Sequence, residues 1–365
     1  YNLQNQSTND FNLLATESYN KNMDLVKVQA WFFPLMILLI GCSNLIVIFV
    51  GGNQYIKGVI EIGVLAEFII YVNMLTWPVA VVGWITSIVQ QAEASQKRIN
   101  EFLKEDPEIE SGKGVRKKII GNLEFKNVSL KYPETGIKAL SNINLSIPSG
   151  TTLGIIGNIG SGKTTLLDTI LRLYDPTEGK IILDGHDLKE FKLDELRNTI
   201  GYVPQNSFLF SESIEDNIRF GNPKASNKAI QNNAKKAVVH NNIIKFKDGY
   251  KTLLGERGVT LSGGQIQRIS IARALIKYPQ ILLLDDCLSA VDTDTEDEIL
   301  KHLKSITRDR TTIIVSHRIS SLKHADNIIV VQNGKIVQQG QHTDLVGIMG
   351  YYKELFEIQQ VGSSK

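Results

Sequence analysis

Residues 152–170 read TLGIIGNIGSGKTTLLDTI, and the fold of the larger part of the chain follows from this stretch. Residues 157–164 within it fit the pattern G-x-x-x-x-G-K-[ST]. They follow an apolar strand at 152–156 and precede a helix from Thr165 onward, which is the context of a phosphate-binding loop. Glycines let backbone N–H groups surround phosphate oxygens, and the helix N-terminus adds a favourable dipole. We therefore predict a nucleoside triphosphate site in this phosphate loop.

The phosphate-loop pattern gives its residues separate roles. Lys163 should reach the β- and γ-phosphates of the nucleotide, and the Thr164 hydroxyl should bind Mg²⁺. The other nucleotide-binding residues predicted from the loop are Gly157, Asn158, Gly160, Ser161, Gly162 and Thr165.

An acidic motif follows further along the chain, where residues 281–286 read ILLLDD. A hydrophobic strand that ends in Asp places a carboxylate at the carboxyl edge of a sheet, beside the phosphate loop. Asp285 is accordingly the predicted Mg²⁺ partner. Taken alone, such a run usually marks an ordinary strand end, but together with the phosphate loop it predicts a nucleoside triphosphatase.

Two long stretches without any charged residue, 28–56 and 68–92, precede this domain. A helix needs about 20 apolar residues to cross the bilayer core, so we predict membrane spans at about 28–50 and 68–90. Buried helices of a soluble protein are the alternative, but these rarely run so long without a charge. We expect residues 51–67 to form the connection. Basic residues beyond both outer ends favour the cytoplasm for those ends and for the domain that follows.

The character of the sequence changes after the second span. Residues 105–118 are charged and predict a linker, which separates a partial membrane domain at 1–104 from a second domain at 119–365. In the second domain short apolar strands alternate with helices, a pattern that predicts a largely parallel sheet. The predicted fold class is multi-domain: a transmembrane α-helical hairpin followed by an α/β P-loop NTPase domain.

Composition excludes some classes of partner. The chain has 365 residues, and its 40 Lys and Arg residues nearly balance 38 Asp and Glu residues, which leaves a net charge of +2. A nucleic-acid surface would need a basic stripe, so we predict no nucleic-acid partner. Cys42 and Cys287 lack metal-ligand spacing and predict neither a metal site nor a disulfide.

Residues 261–265, LSGGQ, lie between the phosphate loop and Asp285 and are identical to the signature of the ATP-binding cassette (ABC) family. The second domain as a whole resembles the nucleotide domain of ABC exporters in which membrane and nucleotide domains are fused in one chain. This resemblance implies the ABC ATPase fold with its helical subdomain. Residues 255–258, GERG, resemble a segment typical of exporters rather than importers.

The resemblance also implies roles for single residues. Tyr132 would stack on adenine, Gln205 would contact Mg²⁺ and the attacking water, and His317 would lie near the γ-phosphate. Asp292, in SAVD, would belong to the loop that contacts the opposing subunit. The signature residues Leu261, Ser262, Gly263, Gly264 and Gln265 would act on the ATP of that subunit. Singly, Tyr132 could be an ordinary strand-end aromatic, His317 a structural histidine and Ser262 a plain helix N-cap, but their order and spacing favour the family roles.

One position departs from the family pattern. The family usually has Glu directly after the Mg²⁺-binding Asp, where it polarises the attacking water, whereas this sequence has Asp286. The Asp carboxylate is one methylene shorter, and general-base geometry tolerates little misplacement. In the family this change often marks the weak site of a heterodimer. We therefore favour a heterodimer with a second half-transporter; a homodimer that hydrolyses ATP with Asp at both sites, aided by His317, is the alternative.

The function implied by the resemblance is that of the ATP-hydrolysing subunit of an exporter, with ATP and Mg²⁺ as cofactors. We expect a multi-pass protein of the cell membrane with its nucleotide domain in the cytoplasm, moving a small molecule or lipid. A non-transporting ABC ATPase and a membrane-tethered regulator are the alternatives, of which the first lacks fused spans. An exporter half has six spans and this chain resembles the last two, so we expect a fragment.

Overall fold

The computed structural model describes residues 4–115, 117–255, 261–291, 293–306 and 310–363. It divides the chain into two compact units, one up to Asp106 and one from Pro107 onward. Both cysteines are free, Cys42 exposed in the first unit and Cys287 buried in the second.

The first unit consists of two long helices, α1 (Gln4–Ile56) and α2 (Ile62–Leu103), which pack against each other. Both are long and apolar enough to cross a membrane, and their most apolar windows are not buried at all. Trp31, Phe49 and Trp77, for example, are 71–74% exposed. Helices of a soluble core would bury such side chains, so the alternative of two buried core helices does not fit the described part of this unit.

The connection between the two helices is shorter than the sequence predicts. Residues 51–56, expected in the connection, continue α1, so only residues 57–61 separate the helices. Glycine in a helix costs only about 1 kcal/mol, whereas an unpaired backbone group in hydrocarbon costs several, which explains why the helix continues through Gly51 and Gly52. Gly51 also lies so close to Leu65 of α2 that a Cβ there would overlap its side chain.

The second unit contains two sheets. An antiparallel sheet has the strand order β2-β1-β4-β5. Its strands are β1 (Leu123–Lys131), β2 (Lys138–Ile147), β4 (Glu178–Leu183) and β5 (His186–Asp187). The alternation of strands and helices predicts a single, largely parallel sheet, and it does not indicate that these four strands form a separate antiparallel one. Exposed and buried residues alternate in β2, as in an antiparallel strand that has one solvent-exposed face, and not as in a strand that is buried on both faces.

The other sheet has six strands in the order β10-β9-β3-β8-β7-β6, and all neighbours are parallel except β10 and β9. Its strands are β3 (Thr152–Gly157), β6 (Ile200–Val203), β7 (Ile281–Asp285), β8 (Thr311–Val315), β9 (Asn327–Gln332) and β10 (Lys335–Gly340). The largely parallel sheet predicted from the alternation of strands and helices is therefore present.

Both faces of the parallel sheet are buried, because successive side chains of each strand enter different hydrophobic cores. In β7, Leu282 and Leu284 belong to one core, which also contains the helices that follow β6. Ile281 and Leu283 belong to the other core, together with the antiparallel sheet and the helix after β3. This double burial explains why the strands are continuous apolar runs in the sequence.

Helices complete the second unit. They are α3 (Lys163–Ile170), α4 (Leu193–Thr199), α5 (Ile214–Arg219), α6 (Asn227–Lys236), α7 (His240–Ile243), α8 (Gly263–Leu275), α9 (Thr293–Ile306), α10 (His342–Gly347) and α11 (Tyr351–Ser363). Helices α5 to α8 lie between β6 and β7 in the chain and pack on one another, with α8 in contact with both α5 and α6. They correspond to the helical subdomain that the resemblance implies.

The predicted linker is packed against the second unit over part of its length. The Gly112 and Gly114 amides donate to the carbonyls of Phe191 and Glu190, at 3.1 and 2.9 Å. Leu193 N donates to the Ser111 hydroxyl at 3.1 Å. Residues 111–114 are therefore held by hydrogen bonds beside the start of α4.

Asp184, just after β4, anchors the chain where it enters β1. Its carboxylate accepts from the amides of Ile120, Gly121 and Asn122 at 2.8, 3.2 and 2.8 Å, and the residue is 8% exposed. Three backbone donors thus satisfy a nearly buried carboxylate. Asp184 therefore binds all three amides of the bend that leads into β1, while the Ser149 and Thr311 hydroxyls bind the carbonyls of Ile120 and Gly121.

We predict that Asp184→Ala lowers the free energy of unfolding of the second unit by about 2–3 kcal/mol, because three buried amides lose their acceptor. This corresponds to a fall of roughly 5–10 °C in its Tm, measured by scanning calorimetry. Glu195→Ala is the matched control, since the Glu195 carboxylate lies 3.7 Å from Lys192 on the surface and contributes little. Equal Tm values for the two variants would contradict the role of Asp184.

Candidate functional site

A cavity of about 680 Å³ opens at the carboxyl edge of the parallel sheet. This is within the range of ligand sites. Most of the predicted site residues line it: Tyr132, Gly160, Ser161, Gly162, Lys163, Thr164, Thr165, Gln205, Asp285, Asp286 and His317. Residues far apart in the sequence thus meet where β3, β7 and β8 end.

Lys163 is held inside the phosphate loop. Its ammonium donates to the carbonyls of Gly157 and Asn158 at 2.9 and 2.7 Å, so these two predicted residues also belong to the site. Burial lowers the pKa of Lys163, while the negative charges of Asp285 and Asp286 oppose the shift. Among the described residues no carboxylate pairs directly with this ammonium, so it favours an anion such as the predicted phosphate oxygens.

The loop itself requires glycine. Gly162 precedes α3 with a φ of +101°, in the left-handed region, and a Cβ there would lie 2.5 Å from the Ala139 carbonyl oxygen of β2. Both the conformation and the space therefore exclude larger residues. The helix begins at Lys163, two residues earlier than predicted, which brings its first amides into the loop.

Thr164 and Asp285 are joined directly. The Thr164 hydroxyl donates to a carboxylate oxygen of Asp285 at 2.9 Å. Burial raises the pKa of Asp285, and the hydrogen bond from Thr164 partly counters this. A hydroxyl and a carboxylate side by side, with the Gln205 amide lining the same cavity, are the hard oxygen ligands that Mg²⁺ prefers.

Asp286 and His317 line the cavity from neighbouring strand ends. Asp286 has a φ of +43°, and its amide donates to the Val315 carbonyl at 2.9 Å. The backbone therefore turns sharply after Asp285 while it remains attached to β8. Asp286 is 9% exposed, so its carboxylate is almost removed from solvent.

Tyr132 lies at the other end of the cavity, just after β1. Its hydroxyl is 2.9 Å from the Thr165 hydroxyl, and its ring makes an edge contact with Tyr174 at a centroid distance of 4.9 Å. The ring is thus held against the first turn of α3, within reach of a base bound next to the phosphate loop. Its stacking on adenine remains a prediction.

The segment that follows Gln205 is fixed to the helical subdomain by a residue that sequence reasoning missed. Arg273 of α8 donates to the carbonyls of Phe208 and Asn217 and to the Asn217 side chain, at 2.7–2.8 Å. Burial lowers the pKa of this guanidinium to about 10. Arg273 therefore links the segment after Gln205 to the helix that begins at the signature.

The β9–β10 hairpin is a second feature that was missed. Its tip, Asn333-Gly334, lines the cavity, and both residues have positive φ. The Gly334 amide donates to the Ser161 carbonyl at 3.0 Å, and a Cβ on Gly334 would lie 2.6 Å from the Ala139 carbonyl oxygen. An Asn-Gly pair between two apolar runs signals such a tight hairpin, but nothing in that signal says that the tip supports the phosphate loop.

The signature residues do not line this cavity. Ser262 is the N-cap of α8: its hydroxyl accepts from the Gln265 amide, and the Gln265 side chain accepts from the Ser262 amide, at 3.3 and 3.0 Å. Ser262 is therefore a helix N-cap, and its role towards the ATP of a partner remains a prediction. Ser262 and Gly263 are exposed, so they remain accessible to a partner. Asp292 and residues 256–258 of the exporter segment lie outside the described residues.

Comparison with known proteins gives the family. Residues 140–289 match the ABC transporter domain, and they include the phosphate loop, the signature and Asp285. The multidrug resistance-like ATP-binding protein MdlA of Buchnera aphidicola is 42% identical over 363 residues, which cover 99% of this chain. The second unit therefore contains a domain of the ABC transporter family. The family and the fold class predicted from the sequence are therefore confirmed.

Other ABC proteins agree. The probable multidrug resistance ABC transporter ATP-binding/permease protein YheI of Bacillus subtilis is 39% identical over 98% of this chain. A solved bacterial Atm1-family ABC exporter with ATP bound superposes with a TM-score of 0.91 over 98% of this chain, at 29% identity. The chain spans 62% of the length of MdlA and of YheI and 63% of the exporter chain.

We predict that Gly334→Ala weakens ATP binding about tenfold, because the added methyl group strains a left-handed turn and pushes the hairpin tip away from Ser161. Titration calorimetry with ATP measures the effect. Gly347→Ala is the matched control, because a Cβ on Gly347 meets no atom within 4 Å. Unchanged affinity in Gly334→Ala would show that the hairpin does not support the loop.

Asp168 of α3 should make stability depend on pH. Burial, with a contribution from Asp285, raises the pKa of Asp168 to about 6 in the folded chain, above its usual 3.8. The folded state thus binds the proton more tightly, and stability falls as pH rises through this window. Asp168→Asn should raise the Tm of the nucleotide-free protein by a few degrees at pH 7.5 and by less at pH 5. An equal gain at both pH values would contradict this.

Proposed function

We propose that this chain is the ATP-binding and ATP-hydrolysing subunit of an ABC exporter, with α1 and α2 in the cell membrane and the second unit in the cytoplasm. The observation that carries the proposal is the cavity that joins Lys163, Asp285 and His317 in a chain with two apolar helices. The names of YheI and MdlA, which refer to multidrug resistance, support the same class. A non-transporting ABC ATPase would leave these helices unexplained.

The residues divide into binding and reacting groups. Backbone N–H groups of residues 160–165 and the Lys163 ammonium would hold the phosphates of ATP, and Tyr132 would stack on the adenine. Thr164, Asp285 and Gln205 would hold Mg²⁺, which neutralises phosphate charge when bound. Asp286 would accept a proton from the attacking water, with His317 beside the γ-phosphate.

Each site would be completed by a second subunit. The exposed start of α8 at Ser262 and Gly263 lies outside the cavity of its own chain, which supports a role for the signature on the partner's ATP. A helix N-terminus with free N–H groups suits a γ-phosphate. ATP would then favour the closed dimer, because only that state offers it both sets of contacts. The transported small molecule or lipid would be moved by the membrane domain of the whole exporter.

Asp286 favours a heterodimer. Its backbone is held by the hydrogen bond to Val315, so the carboxylate of the shorter side chain would lie farther from the attacking water than that of Glu. The site on this chain would then be the slower of two, and the intact signature would complete a faster site on the partner. A homodimer with two Asp sites is the competing assembly.

We predict that Asp286→Glu raises the ATP turnover of the full chain about tenfold, because the longer side chain brings the base to the attacking water. Phosphate release measures turnover, and Lys163→Ala, which removes the phosphate-binding ammonium, sets the background. No change in Asp286→Glu would count against geometry as the limiting factor. Robust, cooperative hydrolysis by the unmodified chain without a second subunit would overturn the heterodimer, and the absence of ATP binding would overturn the proposed function itself.

A further inference from the structure

Gln359, on the last helix of the described chain, makes two hydrogen bonds to the backbone around His317. Its side-chain oxygen accepts from the Ile319 amide at 2.9 Å, and its side-chain nitrogen donates to the His317 carbonyl at 2.8 Å. One amide group therefore spans the three residues 317–319. These residues begin two positions after the end of β8 and include the histidine that lines the cavity.

Arg318 holds the same segment from the opposite side. Its guanidinium donates to the carbonyls of Ser289 and Val291 at 3.0 and 3.2 Å. It also pairs with the carboxylate of Glu296 at 3.1 Å, and Glu296 is only 1% exposed. The segment 317–319 is thus fixed between α11 and the chain that follows Asp286.

The contacts continue to the signature helix. Gln267 of α8 donates to the Ser289 hydroxyl at 3.3 Å and accepts from the Ala290 amide at 3.1 Å. Residues 289–291 are therefore held by Gln267 on one side and by Arg318 on the other. Hydrogen bonds of named side chains form a continuous path from α8 to α11 that passes beside the cavity.

We propose that Gln359 is a positioning residue for His317, so that the C-terminal helix α11 takes part in ATP hydrolysis although it does not line the cavity. This inference rests on the proposed function of the cavity. Gln359 acts through the main chain of residue 317 and is not among the residues that line the cavity. A hydrogen bond at the carbonyl of a histidine fixes the start of its side chain, and small displacements of a reacting group cost much of its rate.

Glutamine is suited to this role because one side chain offers both a donor and an acceptor. Glutamate at the same place keeps an acceptor for the Ile319 amide but loses the donor to the His317 carbonyl. Alanine loses both. Glutamate therefore tests the hydrogen bond to the His317 carbonyl alone, whereas alanine tests both hydrogen bonds together.

We expect Gln359→Ala and Gln359→Glu to lower kcat of the full chain by about fivefold to tenfold while KM and Kd for ATP stay unchanged. Glu357→Ala, at an exposed position of the same helix, should match the unmodified protein. In a His317→Ala background, Gln359→Ala should have no further effect, because its target is gone. An unchanged kcat, or an additive loss in the double variant, would overturn the proposal.

Hydrogen exchange tests the same inference without turnover. The Ile319 amide should exchange about tenfold faster in Gln359→Ala and remain protected in Gln359→Glu and Glu357→Ala. Equal exchange in Gln359→Ala and the unmodified chain would overturn the proposal even if turnover is absent. If the unmodified chain binds no ATP, the proposed function fails, whereas the exchange result still decides whether Gln359 holds the segment.

Discussion

The site depends on the parallel pairing of β3, β8 and β7. In this register Ile155 and Asp285 both lie opposite Val315, so the three strands end at nearly the same level. The phosphate loop, the Asp285-Asp286 pair and His317 each lie at the end of one of these strands or within two residues of it. A shift of one strand by a single residue would turn its side chains to the other face and separate the groups. Since both faces of the sheet are buried, such a shift would expose core residues on two sides.

Local motifs were predictable from the sequence, and long-range pairings were not. The phosphate loop and Asp285 each follow their own apolar strand within a few residues, so the strand and the chemical group appear together in the sequence. The separate antiparallel sheet depends on the pairing of β1 with both β2 and β4, which no single stretch records. The support of the phosphate loop by Gly334 joins residues more than 170 positions apart, because Gly334 binds Ser161. Local sequence patterns predict each of the two contacting segments but not the contact between them.

Asp286 illustrates how the sheet limits the chemistry. Its left-handed backbone is uncommon for a residue other than glycine, although Asp and Asn adopt it more readily than most. The hydrogen bond from its amide to Val315 fixes the start of the side chain through the β7–β8 pairing. From a backbone held in this way, a difference of one methylene between Asp and Glu changes how far the carboxylate reaches into the cavity.

Three side chains, Gln267, Arg318 and Gln359, link α8 to the segments that follow Asp286 and β8. Two of them are neutral and one is charged, and this difference has a physical reason. Gln267 and Gln359 are neutral, and each binds both an acceptor and a donor of its segment without adding charge beside a site built for a triphosphate. Arg318 is charged, but the buried carboxylate of Glu296 balances it. A cation without that partner would compete with Lys163 for phosphate, and an unpaired carboxylate would repel it. Backbone positions beside the cavity can thus be fixed without added net charge, and the predicted attraction for phosphates is left to the phosphate loop and Lys163.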